Sequence, residues 1–311
     1  MSLTELRARY LSGEMEKAEY IEQMHELHAR LFEYADYLRH TGIARIEIAD
    51  GQVVMVSRES GVKIICHPED RRVAPVETLN FGRYEPDEAA MFFRLIGPTP
   101  VVFDIGANVG WYSLNIARCF PGATVHAFEP VPSTYAQLCR NVAHNEVTNV
   151  RTYNIGFSDA DREVAFFVDP HQSGSASAAD LTEKADVDQI RCRLTTLDGF
   201  VVEHGLAMDA IKCDVEGAEF FVYKGGLDAL RKHQPVIFTE LLRKWAAKFD
   251  YHPNEVIGLL AGLGYRCFTA HDEHLVELSR IDESTEETNF FFLHGDRHAA
   301  HIGALVSASA G

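Results

Sequence analysis

The stretch VVFDIGANVGWYS at residues 101–113 sets an acid, Asp104, between an apolar run and a glycine-bracketed turn. Three apolar residues, an acid, a turn and a helix-compatible run describe a buried parallel strand that ends in a tight loop and enters a helix. Gly106 and Gly110 free the backbone to let a ligand come close, and the helix start beyond them offers unpaired N–H groups. A dinucleotide enzyme carries G-x-G-x-x-G at such a corner, because the second glycine admits the pyrophosphate. Here Asn108 stands where a glycine would be expected, and a carboxylate occupies the strand tip. A carboxylate repels phosphate and attracts an ammonium or sulfonium group. S-adenosylmethionine, with an amine, a positive sulfur and no phosphate, is the ligand that needs this arrangement.

Two further stretches carry acids with chemical potential. Residues 124–128 read as the next strand and Glu129 ends it. Its carboxylate can accept from both ribose hydroxyls, each contact worth roughly 1.5–3 kcal/mol, or it can cap the helix that follows. In IKCDVEGAEF, residues 211–220, strand alternation puts Lys212, Asp214 and Glu216 on one side, and Gly217 frees the turn into a helix. Buried charges are costly unless paired or used. Lys212 therefore pairs with Asp214 or Glu216 to shape a pocket, or Asp214 or Glu216 receives the proton of an acceptor hydroxyl. Glu240, ending the fifth strand of the series, is a second candidate base. Asp214, Glu216 and Glu240 could instead hold a divalent cation through oxygen ligands, and a metal requirement stays open.

These blocks occur together in a recognisable order. DIGANVGWYS, FEP at 128–130 and IKCDVEGAE at 211–219, with GRYEP at 82–86 and PVIFTE at 235–240, resemble the FkbM family of S-adenosylmethionine-dependent methyltransferases. The resemblance covers roughly residues 82–293. It implies a Rossmann-like class I methyltransferase acting mostly on hydroxyl oxygens, with a small molecule or saccharide as acceptor. It also implies cofactor contacts at Tyr112, Ser113 and Pro130 within the matching blocks, and at Tyr84 or Glu85 in the segment before the first strand. Pro86 as a plain helix start is the rival reading there. Ser158 and Asp159, after the third strand, stand where the family faces the adenine ring, although Asp159 also suits an Asx turn.

Composition narrows the partners. A formal charge of -17 argues against a broad nucleic-acid surface and against anionic membranes, both of which need clustered Lys and Arg. With 46% hydrophobic and 24% charged residues, the chain reads as an ordinary globular protein. No apolar window approaches a bilayer span and the N-terminal residues lack a signal-like core, so a cytoplasmic location is expected. The six cysteines are scattered without metal spacing, and most sit in apolar patterns, so buried free thiols are the favoured reading. The histidines do not cluster; His171, in the 171–180 insertion, and His252, after the fifth strand, are the two worth watching, and both read as surface residues.

The elements that must position these residues follow from periodicity. Residues 1–40 carry apolar side chains at helical spacing, as one or two amphipathic helices that cap the domain or form a homodimer contact. Residues 41–81 form a small β-rich module with a hairpin at Asp50-Gly51 and a polar connection over 71–80. Residues 82–296 form the methyltransferase domain, opening on a helix that turns Ala89, Phe92, Phe93 and Ile96 inward. Strands are expected at 101–104, 124–128, 150–155, 210–214, 236–240, 265–269 and 289–294, a seven-stranded, mostly parallel sheet with an antiparallel ending. Residues 171–180 (HQSGSASAAD) suit a lid or a plain surface hairpin, and 297–311 a flexible tail. A nicotinamide-dependent oxidoreductase or epimerase is disfavoured by Asn108, and a non-catalytic cofactor-binding scaffold by the complete set of acids.

Overall fold

The computed structural model describes residues 1–168, 177–178 and 188–306. The chain opens on two helices, α1 (Leu3–Leu11) and α2 (Lys17–Tyr37). A three-stranded sheet follows: β1 (Ile43–Ala49), β2 (Gln52–Ser57) and β3 (Lys63–Cys66). Asp50 and Gly51 both take positive φ, 52° and 73°, as a two-residue hairpin requires. Residues 71–80, read above as a polar connection, instead contain the helix α3 (Ala74–Phe81). Val73 and Pro75 start it, and Ala74, Thr78 and Leu79 bury beneath its polar exterior, so the inward face was too short to show a period. Next comes α4 (Pro86–Leu95), which buries Met91, Phe92 and Leu95.

Strands and helices then alternate: β4 (Val101–Ile105), α5 (Trp111–Cys119), β5 (Thr124–Phe128), α6 (Pro132–His144) and β6 (Val150–Tyr153). A small three-stranded sheet interrupts them, made of β7 (Gly156–Phe157), β8 (Arg162–Val168) and β9 (Asp188–Thr195). The alternation resumes with α7 (Leu197–His204), β10 (Ala210–Cys213), α8 (Glu219–Lys224), α9 (Leu227–His233), β11 (Val236–Glu240), α10 (Arg243–Ala246) and α11 (Pro253–Ala261). The last elements are β12 (Tyr265–His271), β13 (His274–Glu277), β14 (Asn289–His294) and α12 (Ala299–Leu305).

The main sheet runs β13-β12-β14-β11-β10-β4-β5-β6. Strands β4, β5, β6, β10 and β11 are parallel, and β14 inserts antiparallel between β11 and β12, the Rossmann-like class I order. Eight strands replace the seven expected. The extra one, β13, is an edge strand with only Leu275 buried, so its alternation was too short to read. Apolar side chains alternate across the sheet into two layers. Phe103, Ile105, Ile211 and Ile237 face one core, and Val102, Val125, Val236 and Phe238 the other, each full burial worth about 1.5–3 kcal/mol. Chain order reverses between β10 and β4, and ligands of open α/β sheets collect at the carboxyl edge of that reversal.

The accessory sheet is tied to the domain through α6. Asn145 exchanges two hydrogen bonds with the Lys63 backbone, and the buried Asn141 receives Ile65 N–H at 3.0 Å while donating to Val109 C=O at 2.8 Å. One asparagine thus links β3 to the loop after β4.

Other expectations are corrected. Residues 299–305, placed above in a flexible tail, form α12, which buries Ile302 and Leu305 against the sheet. Cys119 is exposed and Cys66 and Cys139 half-buried, so burial holds for Cys192, Cys213 and Cys267 alone. His171 and most of 171–180 lie outside the described residues. Among the described residues, no helix is long and apolar enough to cross a membrane.

Candidate active site

The corner after β4 is built by close backbone approach. Gly106, at φ 78°, lies so near the end of β10 that a Cβ there would meet the Asp214 carbonyl oxygen at 1.8 Å. The N–H groups of Gly106 and Ala107 bond the Phe128 carbonyl, and Asn108 takes the left-handed region at φ 48°, where Asn is tolerated best after Gly. That turn aims the Asn108 N–H at Glu129 Oε2, 3.0 Å away. Glu129 Oε1 receives the Val131 N–H at 2.9 Å, ahead of α6, so the helix-entry reading of Glu129 is part of its role. Each carboxylate oxygen keeps a second lone pair for a ligand. Burial pushes the Glu129 carboxyl up to about 7, against the pull of the Val131 and Asn108 N–H groups.

Asp104 is fully buried. The Ser113 hydroxyl donates to its Oδ2 at 2.5 Å, and its Oδ1 has no partner. Burial raises this carboxyl above the usual range, although Lys212 and the Ser113 hydroxyl pull it down.

Asp104 and Lys212 are register partners across β4 and β10. The Lys212 ammonium bonds Asp214 Oδ2 at 3.1 Å and lies over the Tyr112 ring, 5.3 Å from its centre. Burial alone would lower the Lys212 pKa, but Asp214, Asp104 and Glu85 together raise it. The buried ion pair is thus present. Strand β10 ends at Cys213, and Asp214 and Glu216 lie on the turn beyond, Glu216 in the left-handed region at φ 53°. That turn still brings one ligand oxygen from each of Asp214, Glu216 and Glu240 within 4.8 Å of the others. Burial, then the Asp214 charge, pushes both Glu216 and Glu240 well above the carboxylate range. A divalent ion is one occupant such oxygens can take; Lys212 beside Asp214 works against it.

A cavity of about 630 Å³ joins these groups. Tyr84, Asp104, Gly106, Asn108, Tyr112, Glu129, Pro130, Ser158, Lys212, Asp214, Glu216 and Glu240 all line it. Four expected site residues do not. Asp159 turns away to Arg162 at 2.9 Å and Lys224 at 3.3 Å. Ser113 stands behind Asp104, and Gly110, at φ 93°, is the N-cap of α5, packed so that a Cβ would meet Leu138 Cδ1 at 2.6 Å. Glu85 also lies behind the wall, receiving the Tyr112 hydroxyl at 2.5 Å and the Asn289 amide at 3.1 Å. His252 caps α11 on the surface.

Sequence reasoning missed the groups that hold the wall in place. Buried Glu219 receives the N–H groups of Val215 and Gly217 at 3.0 and 3.2 Å, and the Tyr251 hydroxyl bonds Gly217 C=O at 2.8 Å. Glu219 stood inside the quoted block, but nothing in one sequence says that it turns back on its own loop. Trp245 packs against Gly217, and Arg72, Phe166, Ala178 and Phe249 line the cavity from elements outside the motif blocks. Ser177, within the expected lid segment, donates to the Glu216 carbonyl at 3.0 Å.

Comparison with known proteins identifies the family. The Methyltransferase FkbM domain matches residues 104–267, more than half of the chain. The AMB antimetabolite synthetase AmbE of Pseudomonas aeruginosa is 35% identical over 170 residues, 43% of this chain, which spans only 8% of that relative. The 31-O-demethyl-FK506 methyltransferase FkbM of Streptomyces tacrolimicus is 29% identical over 203 residues, 56% of this chain and 76% of that one. A crystal structure of Methyltransferase FkbM from Methylobacillus flagellatus KT aligns with a TM-score of 0.44 at 15% identity, covering 73% of this chain and 55% of that one. The chain belongs to the FkbM methyltransferase domain family.

Proposed function

We propose that the protein transfers a methyl group from S-adenosylmethionine to a hydroxyl oxygen of a small molecule or saccharide. One observation carries the reading: Asp104, fully buried at the strand tip on the cavity wall, leaves Oδ1 without a hydrogen-bond partner. An orphaned buried acceptor costs about 1–3 kcal/mol unless a ligand satisfies it. An ammonium group fits it, and Glu129 across the same loop suits the ribose hydroxyls. Ser158, and Tyr84 with Tyr112, line the cavity where the adenosine and methionine ends would lie. When bound, the cofactor supplies an electrophilic methyl group on a positive sulfur.

The residues of the chain do the rest. Five carboxylates, Asp104, Glu85, Asp214, Glu216 and Glu240, surround or back a single buried ammonium, Lys212, so the cavity favours a cationic ligand. Glu216 and Glu240, whose carboxyls burial and then the Asp214 charge hold well above the carboxylate range, are suited, once ionised, to take up the acceptor's hydroxyl proton. Lys212 holds Asp214, and Glu219 with Tyr251 holds the loop, so that an acceptor oxygen is kept in line for displacement. The Streptomyces relative, a 31-O-demethyl-FK506 methyltransferase, supports an oxygen acceptor.

The test is calorimetric binding of S-adenosylhomocysteine, followed by transfer of labelled methyl from S-adenosylmethionine to a panel of hydroxylated acceptors. Micromolar binding, abolished separately by Asp104→Ala and Glu129→Ala in folded variants, is expected. Binding that survives both substitutions would remove the assignment.

A further inference from the structure

The helix α2 is 21 residues long and buries none of them. Helices in proteins hold together mainly by packing an apolar face, and this one has such a face that is left open along its middle. Tyr20, Met24, Leu27, Leu31, Tyr34 and Leu38 follow one another at spacings of four and three residues in turn. That is the 3.5-residue repeat of a two-helix seam, continued over more than two heptads, and not the broader stripe of a helix lying on a globular core. The ends of the seam are anchored within the chain: Tyr20 stacks on Tyr10 of α1 with ring centres 4.5 Å apart, and Leu38 packs against the cluster of Ile43, Met55 and Leu79. Its middle, Leu27, Leu31 and Tyr34, is between 40% and 56% exposed.

We propose that a second copy of this chain covers the seam, α2 packing on α2 to form a homodimer. Three observations favour a copy over an unrelated partner. First, the seam is complementary to itself, since every position in it is apolar or aromatic and an identical helix presents the same repeat. Second, the flanks do not repel a copy: Ile21, Gln23 and Ala35 carry no charge, and Arg30 is already paired with Glu33 at 2.7 Å on its own helix. Third, the area suffices. Leu27, Leu31 and Tyr34 in the seam and Ile21 and Tyr37 on its flanks are exposed, each offering on the order of 200 Å² when free, about half of it uncovered. Two copies would then cover about 1,000 Å², the size a specific interface has to clear. The interface lies outside the cavity wall, none of whose lining residues belongs to α1 or α2.

Sedimentation equilibrium of the full chain between 1 and 100 μM, beside the variant Leu27→Glu/Leu31→Glu, tests this. The wild type should sediment as a dimer, and the variant should need at least about 100-fold more protein to associate, because two acids would enter each side of an apolar seam. The variant should keep S-adenosylhomocysteine affinity and the main thermal transition, which separates lost association from lost folding and leaves the catalytic reading untouched. A wild type that stays monomeric at 100 μM, a variant that still dimerises, or a wild-type monomer whose α2 instead captures a different protein would each overturn the proposal.

Discussion

Asp104 and Lys212 face each other in register on neighbouring parallel strands, at the point where the strand order of the sheet reverses. The only ammonium buried in this wall among the described residues is therefore shared by Asp104, Asp214 and Glu85. Removing it would leave three acids without a counter-charge in a dry place. Lys212→Met is expected to cost about 3–5 kcal/mol of stability, the usual penalty for orphaning a buried charge. The sign of its pH dependence follows. The folded lysine is held above its ordinary value, so its own contribution is complete throughout the neutral range, whereas the acids it leaves behind resist ionisation. The loss should be larger at pH 8 than at pH 6 in urea unfolding; equal losses would mean that Lys212 does not neutralise this wall.

Glu129 links pH to both stability and binding. Its folded value, about 7, lies above that of an ordinary glutamate, so between the two the folded state holds a proton that the unfolded state has lost. Its contribution is present below the unfolded value and is lost as pH rises through 7. The free protein should thus gain thermal stability when pH falls from 8 to 6, and Glu129→Gln should flatten that part of the curve. Cofactor affinity should move the opposite way, since ribose hydroxyls donate to the ionised carboxylate. Titration calorimetry at pH 6, 7 and 8 checks it, and an affinity that climbs toward pH 6 would contradict the ribose role.

The glycines of the corner separate backbone from side-chain crowding. At Gly106 a Cβ would overlap the Asp214 carbonyl at 1.8 Å, and φ is 78°, so nothing cheap can give way. At Gly110 the conflict is with the tip of Leu138, a flexible side chain, at 2.6 Å. Gly106→Ala should cost more than about 3 kcal/mol and abolish cofactor binding by shifting Asp214, while Gly110→Ala should cost about 1–2 kcal/mol. Equal midpoints in chemical denaturation would mean that β4 and β10 are not locked at this contact.

Much of this was legible in the residues themselves. All seven expected main strands are present, and four of them, β4, β5, β10 and β11, stand where the apolar runs reach Asp104, Glu129, Asp214 and Glu240, because a strand buried on both faces must read as a continuous apolar run. What escaped was set by contacts remote in sequence. Asp159 carries the same side chain as Asp104, yet Arg162 and Lys224 draw it out of the cavity, and no spacing rule records that Lys224 comes back beside it. Glu85 and Ser113 were read as ligand contacts, whereas each supports a wall residue, Tyr112 or Asp104, through a single hydrogen bond. Position in a motif indicated the neighbourhood of these side chains but not which layer of the wall they occupy.

The proton acceptor can be distinguished among the three clustered carboxylates. Asp214 is bound to Lys212 at 3.1 Å, whereas neither Glu216 nor Glu240 has an ion-pair partner among the described residues. Glu216 is further fixed in place, its carbonyl held by Ser177 and its loop by Glu219, which favours it as the base. Glu216→Gln should then lower kcat by about 10²–10⁴-fold with little change in cofactor KM, and Glu240→Gln by less than about 10-fold. The pH profile supplies the decisive readout. A base works only when ionised, so activity should rise as pH passes through the Glu216 value, which burial and then the Asp214 charge hold above the carboxylate range. Asp214→Asn removes that neighbouring charge and should move the acidic limb of kcat/KM toward lower pH, measured with an acceptor found by the labelled-methyl assay. A limb that stays in place in Asp214→Asn, or persists unchanged in Glu216→Gln, would transfer the role to another group.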